Sequence, residues 1–145
     1  MSRLKPDKKK ILAIMKKTCM HAFLATVDGS QPRVRSVSPI IGDDLSIWIS
    51  SFINARKVKQ VKRNAKVCLH FAKQPDGSMI ATVNGTAKIV RNLKDKKRVW
   101  KMAKFDLANY FPDGPSSKNF CLLRIVPKVI EWWDTWKSGR KTTKF

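Results

Sequence analysis

Apolar positions recur first at helical spacing and then, for most of the chain, at strand spacing. Ile11, Ile14 and Met15 share one face of a stretch from Pro6 to about Met20 that is otherwise rich in lysine, which predicts an amphipathic helix. Ala22 to Val27 reads as a strand, and Asp28-Gly29 signals a hairpin because glycine takes up the positive φ of a tight turn. Arg33 to Ile41 pairs back and is broken by Gly42-Asp43-Asp44; Leu45 to Ser50 follows as a further strand. A helix opens near Arg56 with Asn54 as its cap and Asn64 as a left-handed stop. Lys66 to Ala72 is a strand turned by Pro75-Asp76-Gly77. Met79 to Val90 is a long one in which Gly85 predicts a bend or bulge. Asn92 caps a helix to about Phe105, with Val99, Trp100 and Ala103 inward. After a Pro/Gly-rich loop, Phe120 to Trp133 is the last strand. Hairpins at this spacing with helices outside predict a mainly β protein, a small antiparallel barrel rather than a parallel sheet.

The chemistry concentrates in Ser50 to Arg63, SSFINARKVKQVKR. A strand ends in the hydroxyls of Ser50 and Ser51, and a short loop leads into a helix whose first turn carries Arg56 and Lys57. Free amides at a helix start, the helix dipole and two cations all favour an anion there. The guanidinium offers a two-pronged fork for a phosphate and the ammonium a mobile point charge. The same residues would also serve as a solvated basic helix with Val58 and Val61 turned to the core.

Length and composition narrow the field. The 145 residues are one domain, a core over about 8–134 and a basic tail over 135–145, with 43% hydrophobic residues. No apolar run approaches the ~20 residues that span a bilayer, and the charged start MSRLKPDKKK is not followed by a secretory core, so no membrane partner is expected. Cys19, Cys68 and Cys121 are odd in number and widely spaced, which points to reduced, buried thiols in a cytoplasmic protein. His21 and His70 stand alone, so no metal site is expected, and no acidic pair points to acid–base catalysis. The net charge of +21 attracts polyanions without specifying one. Nucleic acid is a partner this charge admits, but no zinc-finger spacing, basic zipper or aromatic RNA-binding octamer favours it.

Several motifs in order carry a family resemblance: Arg33-Val34-Arg35-Ser36-Val37-Ser38-Pro39, Ile49-Ser50-Ser51, Ala55-Arg56-Lys57-x-x-Gln60, Asn64-x-x-Val67, Val83-x-Gly85-x-Ala87, Tyr110-Phe111-Pro112-x-Gly114 and Ile125-x-Pro127-x-x-Ile130-Glu131-Trp132. Over about residues 8–134 the chain resembles the pyridoxamine 5'-phosphate oxidase-like, FMN-binding split barrels, in particular the short members called general stress proteins. The resemblance implies a six-stranded antiparallel split β-barrel that forms a homodimer, with FMN in a groove at the subunit interface and a small-molecule substrate. On matching positions, Arg35, Ser36, Val37 and Ser38 would run beside the flavin ring and ribityl chain. Ser50 and Ser51 would sit near the ribityl and phosphate, and Arg56 and Lys57 would hold the phosphate. The three late tryptophans, Trp132, Trp133 and Trp136, follow the last strand, where the resemblance implies residues near the partner subunit's flavin; Trp132 is the candidate contact among them, and a core or dimer-interface role is the other reading.

The sequence also departs from the family. Ala55 replaces the small hydroxyl residue that precedes the Arg-Lys pair, which removes one expected phosphate contact. The oxidase's substrate-binding C-terminal signature is missing, and Trp136-Lys137-Ser138-Gly139-Arg140 is a poor substitute for it. The implied activity is therefore a flavin-dependent oxidoreductase rather than authentic pyridoxamine phosphate oxidation, with no residue assigned a catalytic role. Two alternatives stay open: an enzyme of the deazaflavin F420, whose anionic tail suits a basic groove, and a non-catalytic module that binds flavin or nucleic acid.

Overall fold

A computed structural model describes residues 4–73 and 75–145; the first three residues of the charged start, and Gln74, lie outside the described residues. Helix α1 (Pro6–Thr18) buries Ile11, Ile14 and Met15, and a 3-10 turn (Cys19–His21) leads into β1 (Ala22–Asp28). A two-residue turn, with Gly29 at φ 63°, returns the chain as β2 (Gln31–Val37) in the register Asp28↔Gln31.

The predicted strand 33–41 is split. Ser38-Pro39 leaves the ladder, because proline has no N–H to donate, and the chain resumes as β3 (Ile40–Ile41). The next strand, β4 (Ile47–Phe52), starts two residues later than expected. Leu45 belongs to the preceding turn, at φ 71° with its N–H bonded to the Gly42 carbonyl, a conformation bulky side chains rarely adopt. Helix α2 (Arg56–Arg63) is capped by Ala55 rather than Asn54, and no side chain bonds to its first turn. Asn64 ends it in extended rather than left-handed backbone, with its side chain accepting from the Lys66 amide.

Strands β5 (Lys66–Ala72) and β6 (Ile80–Val90) form the next hairpin, and β6 carries the bulge expected at Asn84/Gly85. A Cβ on Gly85 would lie 2.0 Å from the Val126 carbonyl oxygen, so only glycine lets β6 pass its neighbour there. Asn92 caps α3 (Leu93–Met102) by accepting from the Asp95 amide. The helix ends at Met102 instead of about Phe105; Ala103 is already extended. A loop with one 3-10 turn (Leu107–Asn109) leads to β7 (Phe120–Trp133). The stretch read as a tail contains a 3-10 turn (Trp136–Ser138) and a short strand, β8 (Lys141–Lys144), paired with β7.

All eight strands join one antiparallel sheet in the order β2-β1-β5-β6-β7-β4-β3, with β8 also on β7. Six predicted strands become eight through the break at Pro39 and the addition of β8. The sheet curls round a core that includes Leu24, Leu69, Phe71, Val83, Ile125, Ile130 and Trp132, closed by α1 and α2. A second core packs α3 and the 105–111 segment on the outside of β4 and β7, through Trp48, Val99, Leu107, Phe111, Phe120 and Leu122. No helix among the described residues is long and apolar enough to cross a membrane.

Candidate functional site

A cavity of about 430 Å³ opens where β2 ends, β4 hands over to α2, and the 105–111 segment folds across. Its walls include the Ser36, Ser38, Ser50 and Ser51 residues, the Lys57 side chain, and the rings of Phe52, Tyr110 and Phe111. This size falls in the ~300–1,000 Å³ range usual for cofactor pockets. Phe111 is buried between Phe52 and Phe120, each with ring centroids 4.7 Å away, while Phe52 and Tyr110 are 48% and 58% exposed. The aromatic wall is thus held from behind and open in front.

Six of the residues singled out in the sequence meet at this cavity: Ser36, Val37, Ser38, Ser50, Ser51 and Lys57. Three do not line it. Arg35 lies on the opposite face of β2 from Ser36, because successive strand residues alternate sides. Its guanidinium donates to the Leu24 carbonyl (3.1 Å), Thr26 Oγ1 (2.8 Å) and Gln60 Oε1 (2.7 Å). Thr26 Oγ1 also donates to Gln60 Oε1 at 2.6 Å, so Arg35 fastens α2 to β1 rather than standing beside a ligand. Trp132 is placed differently from the flavin contact that the resemblance implied. It is 0% exposed within the main core, and its indole N–H donates to Thr143 Oγ1 at 3.0 Å. Arg56 is exposed at the start of α2 and does not line the cavity.

The electrostatics of the corner are one-sided. Burial holds the Lys57 ammonium below its ordinary pKa, and the Arg35 charge depresses it further. Arg35 is itself shifted down, first by burial and then by Arg56. Among the described residues none of these three cations has a carboxylate partner. Together with an uncapped helix start, this leaves a place that an anion would stabilise. Serine hydroxyls, a half-buried ammonium, free helix amides and an aromatic wall are a donor set that fits a phosphorylated, flat heteroaromatic cofactor.

Sequence reading missed much of the lid: Phe105, Asp106 and Asn109, together with Met20 and Phe52. Tyr110 and Phe111 were visible in the Tyr110-Phe111-Pro112-x-Gly114 motif, although nothing in that spacing said they would cover the β4–α2 corner.

Comparison with known proteins gives the family. The family model described as pyridoxamine 5'-phosphate oxidase matches residues 8–134, and the chain belongs to that family. No curated protein matches it in sequence. Among solved structures it is similar to general stress protein 26 of Bacillus anthracis, with 18% identity and a TM-score of 0.76 over 97% of this chain and 100% of that one. A protein from Listeria innocua described as a pyridoxamine 5'-phosphate oxidase shares 27% identity at a TM-score of 0.72, over 88% of this chain and 98% of that one. A heme-binding protein of Mycobacterium smegmatis has the same fold at 12% identity and a TM-score of 0.73, over 98% of this chain and 60% of that one.

Proposed function

We propose that the chain is a homodimeric, cytoplasmic FMN-binding protein acting as a flavin-dependent oxidoreductase on a small molecule. The observation that carries this reading is the cavity at the β4–α2 corner. There Ser50, Ser51 and Lys57 meet an uncapped helix start and an aromatic wall, with no carboxylate among the described residues paired to the nearby cations. Lys57, helped by Arg56, would hold the phosphate, and the serine hydroxyls would hydrogen-bond the polar chain. Phe52, Tyr110 and Phe111 would exclude water from the flat ring. When bound, the flavin supplies transfer of a hydride or of single electrons, and the protein supplies position and access. Oxidation of pyridoxamine 5'-phosphate itself is not part of the proposal, because Trp136-Lys137-Ser138-Gly139-Arg140 is a poor match to the oxidase's substrate-binding segment.

Dimerisation has its own physical support. Two rows of residues cross the outer face of the sheet, Val34-Ala25-Cys68-Asn84-Val129-Lys144 and Ser36-Phe23-His70-Thr82-Glu131-Thr142. In a chain with 31 lysines and arginines, these twelve positions hold one lysine and one carboxylate. Phe23 and Val34 stand exposed there, at 37% and 69%. Such a neutral band is what a covered face requires. Ser36 belongs both to the second row and to the cavity wall, so a partner seated on this face would border the cofactor.

A second reading, the deazaflavin F420, draws on the exposed cations Lys59, Lys62 and Arg63, which continue from the corner along α2 and suit an anionic tail. Purification followed by a visible spectrum and release of the bound pigment decides among these. FMN in the released fraction supports the proposal. Deazaflavin or heme bands, or a colourless protein that takes up no FMN, refute it.

A further inference from the structure

Most of the +21 charge is not absorbed by the cavity, and one part of it is arranged rather than scattered. On α3, Lys94, Lys97, Arg98 and Lys101 are all exposed, with the adjacent Lys97 and Arg98 three or four residues from Lys94 on one side and from Lys101 on the other. That spacing stacks them on one face, where like charges oppose helix formation. The stripe continues onto the sheet. Lys88 of β6 lies directly opposite Arg124 of β7, a cross-strand pairing of like charges that also costs stability. Arg98 and Arg124 each lie 5.3 Å from the ring of Trp48, which joins helix and strand into one surface. Among the described residues two carboxylates answer these six cations: Asp95, 3.1 Å from Arg98, and Asp44, whose carboxyl the Arg98 charge helps to hold down.

From this juxtaposition we infer that the α3 stripe and the Lys88–Arg124 pair form a docking surface for the phosphate backbone of duplex nucleic acid. Stripe and strand pair present a row of cations without an aromatic platform. Trp100, the aromatic residue of α3, is partly buried and packs edge-on against Phe120, centroids 5.5 Å apart, which leaves no exposed ring on this helix for bases to stack on. Contact is therefore with the backbone and independent of sequence. A membrane fits less well. Helices that lie in a bilayer surface insert an apolar face, and the apolar face of α3 is already used: Val99 is fully buried in the second core, with Trp100 and Met102 packed against it. The site is separate from the flavin cavity, and its test does not depend on a bound cofactor.

Fluorescence anisotropy with a labelled random-sequence DNA duplex, recorded from low to moderate salt, tests the assignment on the full chain. Contact with most of the six cations gives a log–log salt slope of about −4 to −5. The triple variant Lys94→Glu, Lys97→Glu, Lys101→Glu removes about three units of that slope and on the order of a few hundred-fold in affinity at 0.1 M salt. The control Lys5→Glu, Lys9→Glu, Lys17→Glu carries the same charge change at exposed positions elsewhere and retains most of the affinity. Melting temperatures confirm that both variants are folded; if the triple variant is not, the double variant Lys88→Ala, Lys97→Ala takes its place. Equal losses in stripe and control variants, no duplex binding by the wild type at low salt, or preference for anionic phosphatidylserine vesicles over duplex would each overturn the inference.

Discussion

Replacing Arg56 and Lys57 by alanine together is expected to strip the phosphate grip while leaving the fold intact. Neither side chain contributes to the core, since α2 is anchored by Val58, Gln60 and Val61, and Gln60 keeps its bonds to Arg35 and Thr26. Lys57 is half-buried at the cavity wall, so its charge-assisted contact to a phosphate contributes about 1.5–3 kcal/mol. Arg56 is exposed and contributes no more than about 1 kcal/mol through solvent. The sum, about 2–4 kcal/mol, weakens FMN binding roughly 30- to 700-fold. Flavin fluorescence quenching measures this, with riboflavin, which lacks the phosphate, as an internal control. The reasoning predicts a large loss for FMN and little change for riboflavin. An unchanged FMN affinity, or equal losses for both ligands, would refute it.

FMN affinity should depend on pH through Lys57. Its ammonium is held below the ordinary lysine pKa by burial and by Arg35, so affinity is full below that depressed value and falls as pH rises through it. Lys57→Arg, which stays charged, extends binding to higher pH in the same titration. His70 is depressed by burial, so the folded state binds fewer protons than the unfolded one. Stability is then fully present above the unfolded value, near 6.5, and is lost as pH falls through the folded one; urea midpoints of His70→Asn should show a flatter acid limb. Gly85→Ala drives a methyl into the Val126 carbonyl and should cost about 1–3 kcal/mol, read as a lower melting temperature. Trp132→Phe loses the bond to Thr143 and about 1 kcal/mol of stability, yet leaves FMN affinity unchanged because the ring is buried in the core and does not line the cavity.

What the sequence shows clearly is what short-range chemistry dictates. Asp28-Gly29 set the first hairpin, Asn92 capped α3, and Gly85 marked the bulge, each because one residue type meets a local backbone demand. The segments that differed are those where a distant neighbour decides. Leu45 looked like the first residue of a strand, but the Gly42 turn takes it into the left-handed region. Lys141–Lys144 has no apolar pattern at all and becomes a strand because β7 is long enough to offer it a ladder.

The candidate site follows the same division. Ser36, Ser38, Ser50, Ser51 and Lys57 were readable from their motifs. Arg35 could have been placed by strand alternation, which puts it across the sheet from Ser36. Trp132 could not, since Thr143, the partner of its indole, sits on the strand that the pattern did not announce. The lid from Phe105 to Phe111 is brought over the corner by α3 and the second core, and no local signal in that segment says so.

The most direct test of the central claim is a crystal structure of the protein grown with FMN. The account predicts phosphate density within hydrogen-bonding distance of Lys57 Nζ at the start of α2, with the isoalloxazine beside a second copy of the chain. Density for the flavin at any other surface, or a filled β4–α2 corner in a chain with no partner against its neutral sheet face, would contradict it.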